Sequence, residues 1–219
     1  RSAGARPSAD RRAGLPAPYR RIPAYAEALG YLGGVLALAG LTLLVASYWA
    51  DMSTSFRLAL SLVTTVALVG GGALVHEHVD PALARLRWFL WTLSSATAAV
   101  FTGVLMIDGL EVDTPAMVVA ACAATVAFTS GLLWWGRDRP VQELLFLTAA
   151  IVSAATFVTA VTNSGFGGLT AWLLAAVVLA VGLRGLTTRP IIAHVVGTVA
   201  LMIGAFATVS EWMGGGALF

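Results

Sequence analysis

Apolar residues fill seven long runs of the chain, and short polar segments separate them. At 1.5 Å per residue, a helix of about 20 residues crosses the hydrocarbon core of a bilayer. The predicted spans are residues 28–49, 58–75, 88–107, 116–135, 144–161, 169–183 and 191–209. The sixth becomes long enough if it includes Phe166, Gly167 and Gly168 and if Arg184 extends toward the interface. This pattern predicts an all-α membrane protein, a polytopic bundle of about seven transmembrane helices.

Tryptophan supports these boundaries, because its amphipathic ring is enriched where a helix meets lipid headgroups. All the tryptophans lie at or within about one turn of a predicted span end, and we expect them to be interface anchors. They are Trp49, Trp88, Trp91, Trp134, Trp135, Trp172 and Trp212.

Arginine supplies the orientation, because cytoplasmic loops carry an excess of positive charge. With the N-terminus inside, the predicted outer segments hold only Arg57, and every other arginine falls in an inner segment. The sequence therefore predicts a cytoplasmic N-terminus, a C-terminus outside, and a multi-pass protein of the plasma membrane.

Composition agrees with this class. The chain has 219 residues, of which 58% are hydrophobic and 11% charged, whereas a soluble domain carries about 25% charged residues. We expect residues 1–22 to be a disordered or surface-bound cytoplasmic tail, 23–213 a transmembrane domain, and 214–219 a truncated end or the start of a further helix. The basic residues are spread over loops and one tail, so no nucleic-acid partner is predicted.

Small residues predict how the helices pack, since close approach of backbones drives association in lipid. The first span offers Gly30, Gly33, Gly34 and Ala37 on a smooth face. We expect this face to pack against another helix of the chain. Dimerisation through this face, or no special role for it, is the alternative. Besides the lipid bilayer, other membrane subunits or a second copy are the partners that the sequence leaves open.

Hydroxyl side chains recur in the third and fifth spans, for example Thr97 and Thr102 in the third and Thr148 and Thr156 in the fifth. Such groups bond across helices or back to their own helix. The sequence favours packing, and a polar path for a solute is the alternative.

Candidate chemistry is sparse. His76, His78 and His194 are weak candidates for a metal site, because imidazole binds zinc, although residues two apart on a helix face different ways. Asp108, Glu111 and Asp113 lack the spacing of a calcium loop. No catalytic or dinucleotide motif is found, and no cofactor is expected. The single cysteine, Cys122, excludes a disulfide within the chain.

The first hairpin resembles a known family. The residues on which the resemblance is based are Glu27-Ala28-Leu29-Gly30-Tyr31-Leu32-Gly33-Gly34, then Ser47-Tyr48-Trp49-Ala50-Asp51, then Arg57. This stretch is similar to the bacterial predicted membrane proteins of domain of unknown function 2157 (DUF2157). The resemblance implies a Gly-rich first span, a Trp-acid corner and many following spans, in members longer than this chain, and it implies no activity. At the corner, Asp51 is expected to cap the next helix or to pair with Arg57.

Three functions remain open on the sequence. A non-enzymatic scaffold or accessory membrane subunit fits small-residue faces without a catalytic motif. A small-solute transporter or channel is the alternative, and it would use the hydroxyls of the third and fifth spans. A membrane enzyme would have to use the loop around His76 and His78.

Overall fold

The computed structural model describes residues 24–75, 81–135, 140–162, 166–185 and 189–215. These residues form seven helices that are long and apolar enough to cross a membrane, as the sequence predicts. The helices are α1 Ala24–Tyr48, α2 Thr54–Leu74, α3 Pro81–Val104, α4 Pro115–Trp134, α5 Pro140–Thr162, α6 Phe166–Leu183 and α7 Pro190–Gly215.

Proline marks the beginning of four helices. Helices α3, α4, α5 and α7 start at Pro81, Pro115, Pro140 and Pro190, because the first-turn N–H groups have no partner within the helix and proline lacks that donor. The sixth helix begins at Phe166, which confirms the extension needed by the short sixth run.

The chain divides into two compact units, Arg1–Asp51 and Met52–Phe219. In the first unit, α1 continues into a short 3₁₀ turn, Trp49–Asp51. In the second unit, each of the helices α2 to α7 packs against the next, and α5 also packs against α7. We call this second unit the six-helix bundle.

Helices α6 and α7 approach each other most closely, and glycine makes this possible. A Cβ at position 204 would lie 2.8 Å from the backbone nitrogen of Trp172, and one at position 168 would lie 2.7 Å from the backbone nitrogen of Thr208. Farther along, Ala175 and Ala193 have no exposed surface. The two backbones are therefore in direct contact along most of the hairpin, which is how helices associate in lipid.

In the α2–α3 hairpin, a tryptophan of α3 packs against a glycine of α2. The ring of Trp91 is only 3% exposed and lies against Gly72. Its Nε1 donates to the carbonyl of Val69 at 3.4 Å. The guanidinium of Arg87 lies over the ring, 4.2 Å from its centroid, and donates to the carbonyl of Val75 at 3.3 Å. Arg87 thus satisfies a carbonyl at the end of α2, where helix carbonyls lack partners.

At the opposite end of this hairpin, Arg57 pairs with Asp108 across α2 and α3. Its Nη1 lies 2.6 Å from Oδ2 of the aspartate. Asp108 stands in a π-helical turn, Leu105–Gly109, that continues α3. The cap of α2 is Ser53, whose hydroxyl accepts from the backbone N–H of Phe56 at 3.4 Å. The capping role predicted for Asp51 is therefore wrong, because Ser53 caps α2. The predicted pair of Asp51 with Arg57 stays a prediction.

Candidate functional site

Hydroxyl groups link successive helices of the six-helix bundle. Thr65 on α2 donates to Thr97 on α3 at 2.9 Å. Thr102 on α3 and Thr125 on α4 lie 2.8 Å apart. Ser153 on α5 donates to the carbonyl of Ala120 on α4 at 2.9 Å. The hydroxyls of the third span are thus engaged in helix packing, the use that the sequence favours.

Five polar side chains on α3, α4 and α5 are buried inside the six-helix bundle, and we call them together the buried polar layer. They are Ser94, Ser95, Ser130, Gln142 and Glu143, each of which is at most 1% exposed. Ser95 and Ser130 join α3 to α4 at 3.4 Å. The hydroxyl of Ser94 donates to the carbonyl of Trp91 at 2.7 Å.

Gln142 and Glu143 belong to the first helical turns of α5. Phe146, one turn farther on, stacks on Trp134 of α4 with ring centroids 5.7 Å apart. Because residues three and four apart share a helix face, Gln142 and Glu143 are directed toward α4. Both side chains therefore stand inside the bundle.

The sequence did not predict this burial, because the apolar run of the fifth span starts only at Leu144. The signal that could have found it is Pro140, which places the helix start four residues earlier. From that start, helical spacing puts Gln142 and Glu143 on the face that carries Phe146 and Ala149.

The amide of Gln142 is the chemically distinctive part of the layer. Its Nε2 and Oε1 are both buried and have no hydrogen-bond partner in the described part of the chain. Unpaired buried polar atoms cost about 1–3 kcal/mol, and ionisable groups inside membrane proteins usually serve a function. An amide that offers a donor and an acceptor is able to hydrogen-bond a small polar molecule, and the neighbouring carboxyl of Glu143 is able to bind a proton or a cation.

The structure describes one of the three histidines of the predicted metal site. His76 and His78 lie outside the described residues. His194, on α7, is half-buried, and its Nε2 has no hydrogen-bond partner among the described residues. Within those residues, no group of three His, Cys, Asp or Glu side chains is placed to hold a metal ion. The three-histidine site stays a prediction.

The small-residue face of α1 also stays a prediction. Gly33, Gly34 and Ala37 lie in α1, which belongs to the first compact unit. Gly30 lies in α1, but its surroundings fall outside the description. The structure defines close glycine contacts within the six-helix bundle, among them those of Gly72, Gly168 and Gly204.

The tryptophans predicted to be anchors have different surroundings. Trp135 is 84% and Trp172 is 41% exposed on the protein surface, as an interfacial ring requires. Trp49, Trp88 and Trp134 are half-buried. Trp91 differs from them, because it is buried between Gly72 and Arg87 and packs inside the hairpin. The side chain of Trp212 lies outside the description.

These features define a polytopic α-helical membrane protein whose helices are joined by small residues and hydroxyls. The family model described as "Predicted membrane protein (DUF2157)" matches residues 3–107. This match confirms the resemblance seen in the first hairpin, and the matched segment includes α1, α2 and α3. No curated protein and no solved structure matches the chain.

Proposed function

We propose that this protein is a non-enzymatic scaffold or accessory subunit of the plasma membrane. The observation that carries the proposal is the use of polar groups in the bundle. Thr65, Thr97, Thr102, Thr125 and Ser153 all bond between helices. Their hydroxyls stabilise a fixed arrangement of spans rather than line a path through it.

The outer surface supports the same proposal. Large apolar side chains are exposed on every helix of the bundle, among them Val63, Phe128, Phe157, Val177 and Phe206, each at least 50% exposed. In a bilayer such a surface contacts lipid or the apolar spans of another subunit.

The scaffold proposal is tested with the tagged full-length protein, purified from its own membrane in mild detergent. We expect a partner at a fixed molar ratio, and we expect that partner to disappear from the membrane when the gene is deleted and to return with the wild-type copy. A solitary, stable protein whose deletion leaves membrane composition unchanged contradicts the proposal.

A small-solute transporter is the second candidate, and the buried polar layer favours it. Glu143 is fully buried in a spanning helix, beside the unpartnered amide of Gln142. Membrane carriers keep buried carboxyls for coupling to protons or cations.

Proteoliposomes loaded with a pH-sensitive dye distinguish the two candidates. A transporter moves protons down an imposed gradient, and Glu143→Gln or Gln142→Ala abolishes that flux, whereas Asp113→Asn, an exposed acidic residue, leaves it unchanged. Equal dye response in protein-containing and empty vesicles contradicts proton-coupled transport and supports the scaffold.

A further inference from the structure

A groove runs along the outer surface between α5 and α7, and Ala171 of α6 also lines it. Its volume is about 350 Å³. Its lining is apolar except for two threonines: Leu144, Thr148, Ile151, Val152, Ala155 and Thr156 on α5, and Val195, Val196, Val199, Ala200 and Ile203 on α7. One of the two threonine hydroxyls, that of Thr156, bonds within its own helix to the carbonyls of Val152 and Ser153 at 2.8 and 3.2 Å. An apolar ligand therefore matches the groove better than water does.

The groove has the length of one bilayer leaflet. From Leu144 to Thr156 the helix rises about 18 Å at 1.5 Å per residue, and half of the hydrocarbon core is about 15 Å. Since α5 and α7 cross the membrane, the groove runs along the direction in which acyl chains lie.

One end of the groove lies beside arginines. The start of α6 contacts the ends of α5 and α7, at Gly167 with Thr159 and at Gly168 with Thr208, and the end of α6 contacts the start of α7, at Gly182 with Ala193. The helices α5 and α7 therefore both run away from the end of α6.

Arg184 directly follows α6, and Arg189 directly precedes α7; both are exposed. Leu144 and Val195, the first lining residues of α5 and α7, lie within about one or two turns of the same end. Glu143 is buried toward α4 and does not line the groove. Among the described residues at this opening, Arg184 and Arg189 are the exposed charges, and they suit the phosphate of a lipid headgroup.

We propose that this groove binds one anionic phospholipid, with an acyl chain between α5 and α7 and the headgroup phosphate at Arg184 and Arg189. The chain gains contact with a preformed apolar surface. The arginines select a net negative headgroup over a zwitterionic one. This inference depends on the membrane location of the helices and not on the scaffold or transporter proposal.

The binding is tested by native mass spectrometry of the full-length protein in phosphatidylcholine nanodiscs that contain a minor share of phosphatidylglycerol. We expect one phosphatidylglycerol to be retained on release from the disc, enriched at least about tenfold over its share, which corresponds to about 1.4 kcal/mol.

Two groove variants have matched controls. Ala200→Phe fills the groove and is expected to lower retention at least about fivefold, whereas Ala205→Phe, at an exposed alanine of the same helix outside the lining, leaves it unchanged. Thr148→Trp, at an exposed lining position, gives a second test if Ala200→Phe does not fold.

The headgroup part is tested with Arg184→Gln combined with Arg189→Gln, against Arg85→Gln as the control. The double variant is expected to retain phosphatidylcholine and phosphatidylglycerol equally. Equal retention by Ala200→Phe, Thr148→Trp and Ala205→Phe would mean surface lipid only and would overturn the proposal. So would a second copy of the chain bound in place of lipid.

Discussion

Gly204 of α7 lies against the backbone of Trp172 of α6, so that a Cβ at position 204 would lie 2.8 Å from the tryptophan's nitrogen and 3.1 Å from its Cα. Real Cβ atoms do not approach backbone that closely, and the backbone of a packed helix cannot rotate away as a side chain can. The spacing of the two helices is therefore set by this glycine.

Gly204→Val is expected to separate α6 from α7 and to cost about 1–3 kcal/mol, the range for overpacking. Thermal unfolding in detergent, followed by size-exclusion chromatography, measures the loss. Ala205→Val changes the neighbouring exposed position of the same helix and is expected to be close to neutral. Equal midpoints for the two variants would show that the hairpin does not depend on the contact.

Gly72 and its neighbour Gly71 provide a second matched pair. A Cβ at position 72 would overlap the indole of Trp91, whereas one at position 71 meets only Cδ1 of Leu90 at 3.9 Å. We expect Gly72→Ala to lower the thermal midpoint and Gly71→Ala to leave it unchanged or raise it slightly, because alanine favours helix over glycine. Adding Trp91→Leu to Gly72→Ala is expected to recover part of the loss. A purely additive double variant would contradict the contact.

The ion pair between Arg57 and Asp108 is expected to contribute little. Both side chains are partly exposed, at 18% and 26%, and exposed pairs are typically worth about 0–1 kcal/mol. A double-mutant cycle with Arg57→Gln and Asp108→Asn measures the coupling, which should weaken between low and high salt. A coupling that is large and insensitive to salt would show a desolvated pair instead.

The predicted orientation is open to cysteine labelling. In a Cys122→Ala background, Asp113→Cys is expected to react with a membrane-impermeant maleimide in intact cells, and Arg184→Cys only after permeabilisation. The reason is the arginine bias of the loops. Reaction of both positions in intact cells, or of Arg184→Cys alone, would reverse or break the predicted topology.

The fold could be predicted from the sequence because a bilayer allows few backbone structures to cross it. Backbone groups in hydrocarbon must bond within the helix, so run length predicts each span. Proline and arginine then mark the helix ends, as at Pro115 and Pro190. The start of α5 was predicted too late, because Gln142 and Glu143 are polar and resemble a loop until their burial is seen.

Packing partners were harder to predict. The sequence predicts a packing face at Gly33 and Gly34, and the structure adds close backbone contacts at Gly168 and Gly204. A glycine pattern shows that a backbone can be approached and does not name the helix that approaches it. For the same reason, the hydroxyl of Thr102 was predicted to be a packing group, but its partner Thr125 on α4 was not predicted.

The π-helical turn at Leu105–Gly109 is the place where α3 can lose a residue without rotating the rest of the helix. There the N–H of Leu110 bonds to the carbonyl of Leu105, five residues back, at 2.8 Å, so this turn holds one residue more than an α-helical turn. Deleting a residue here would restore ordinary winding and leave Ser95, Thr97 and Thr102 facing their neighbours. The same deletion earlier in α3 would turn its preceding part by about 100° relative to the rest.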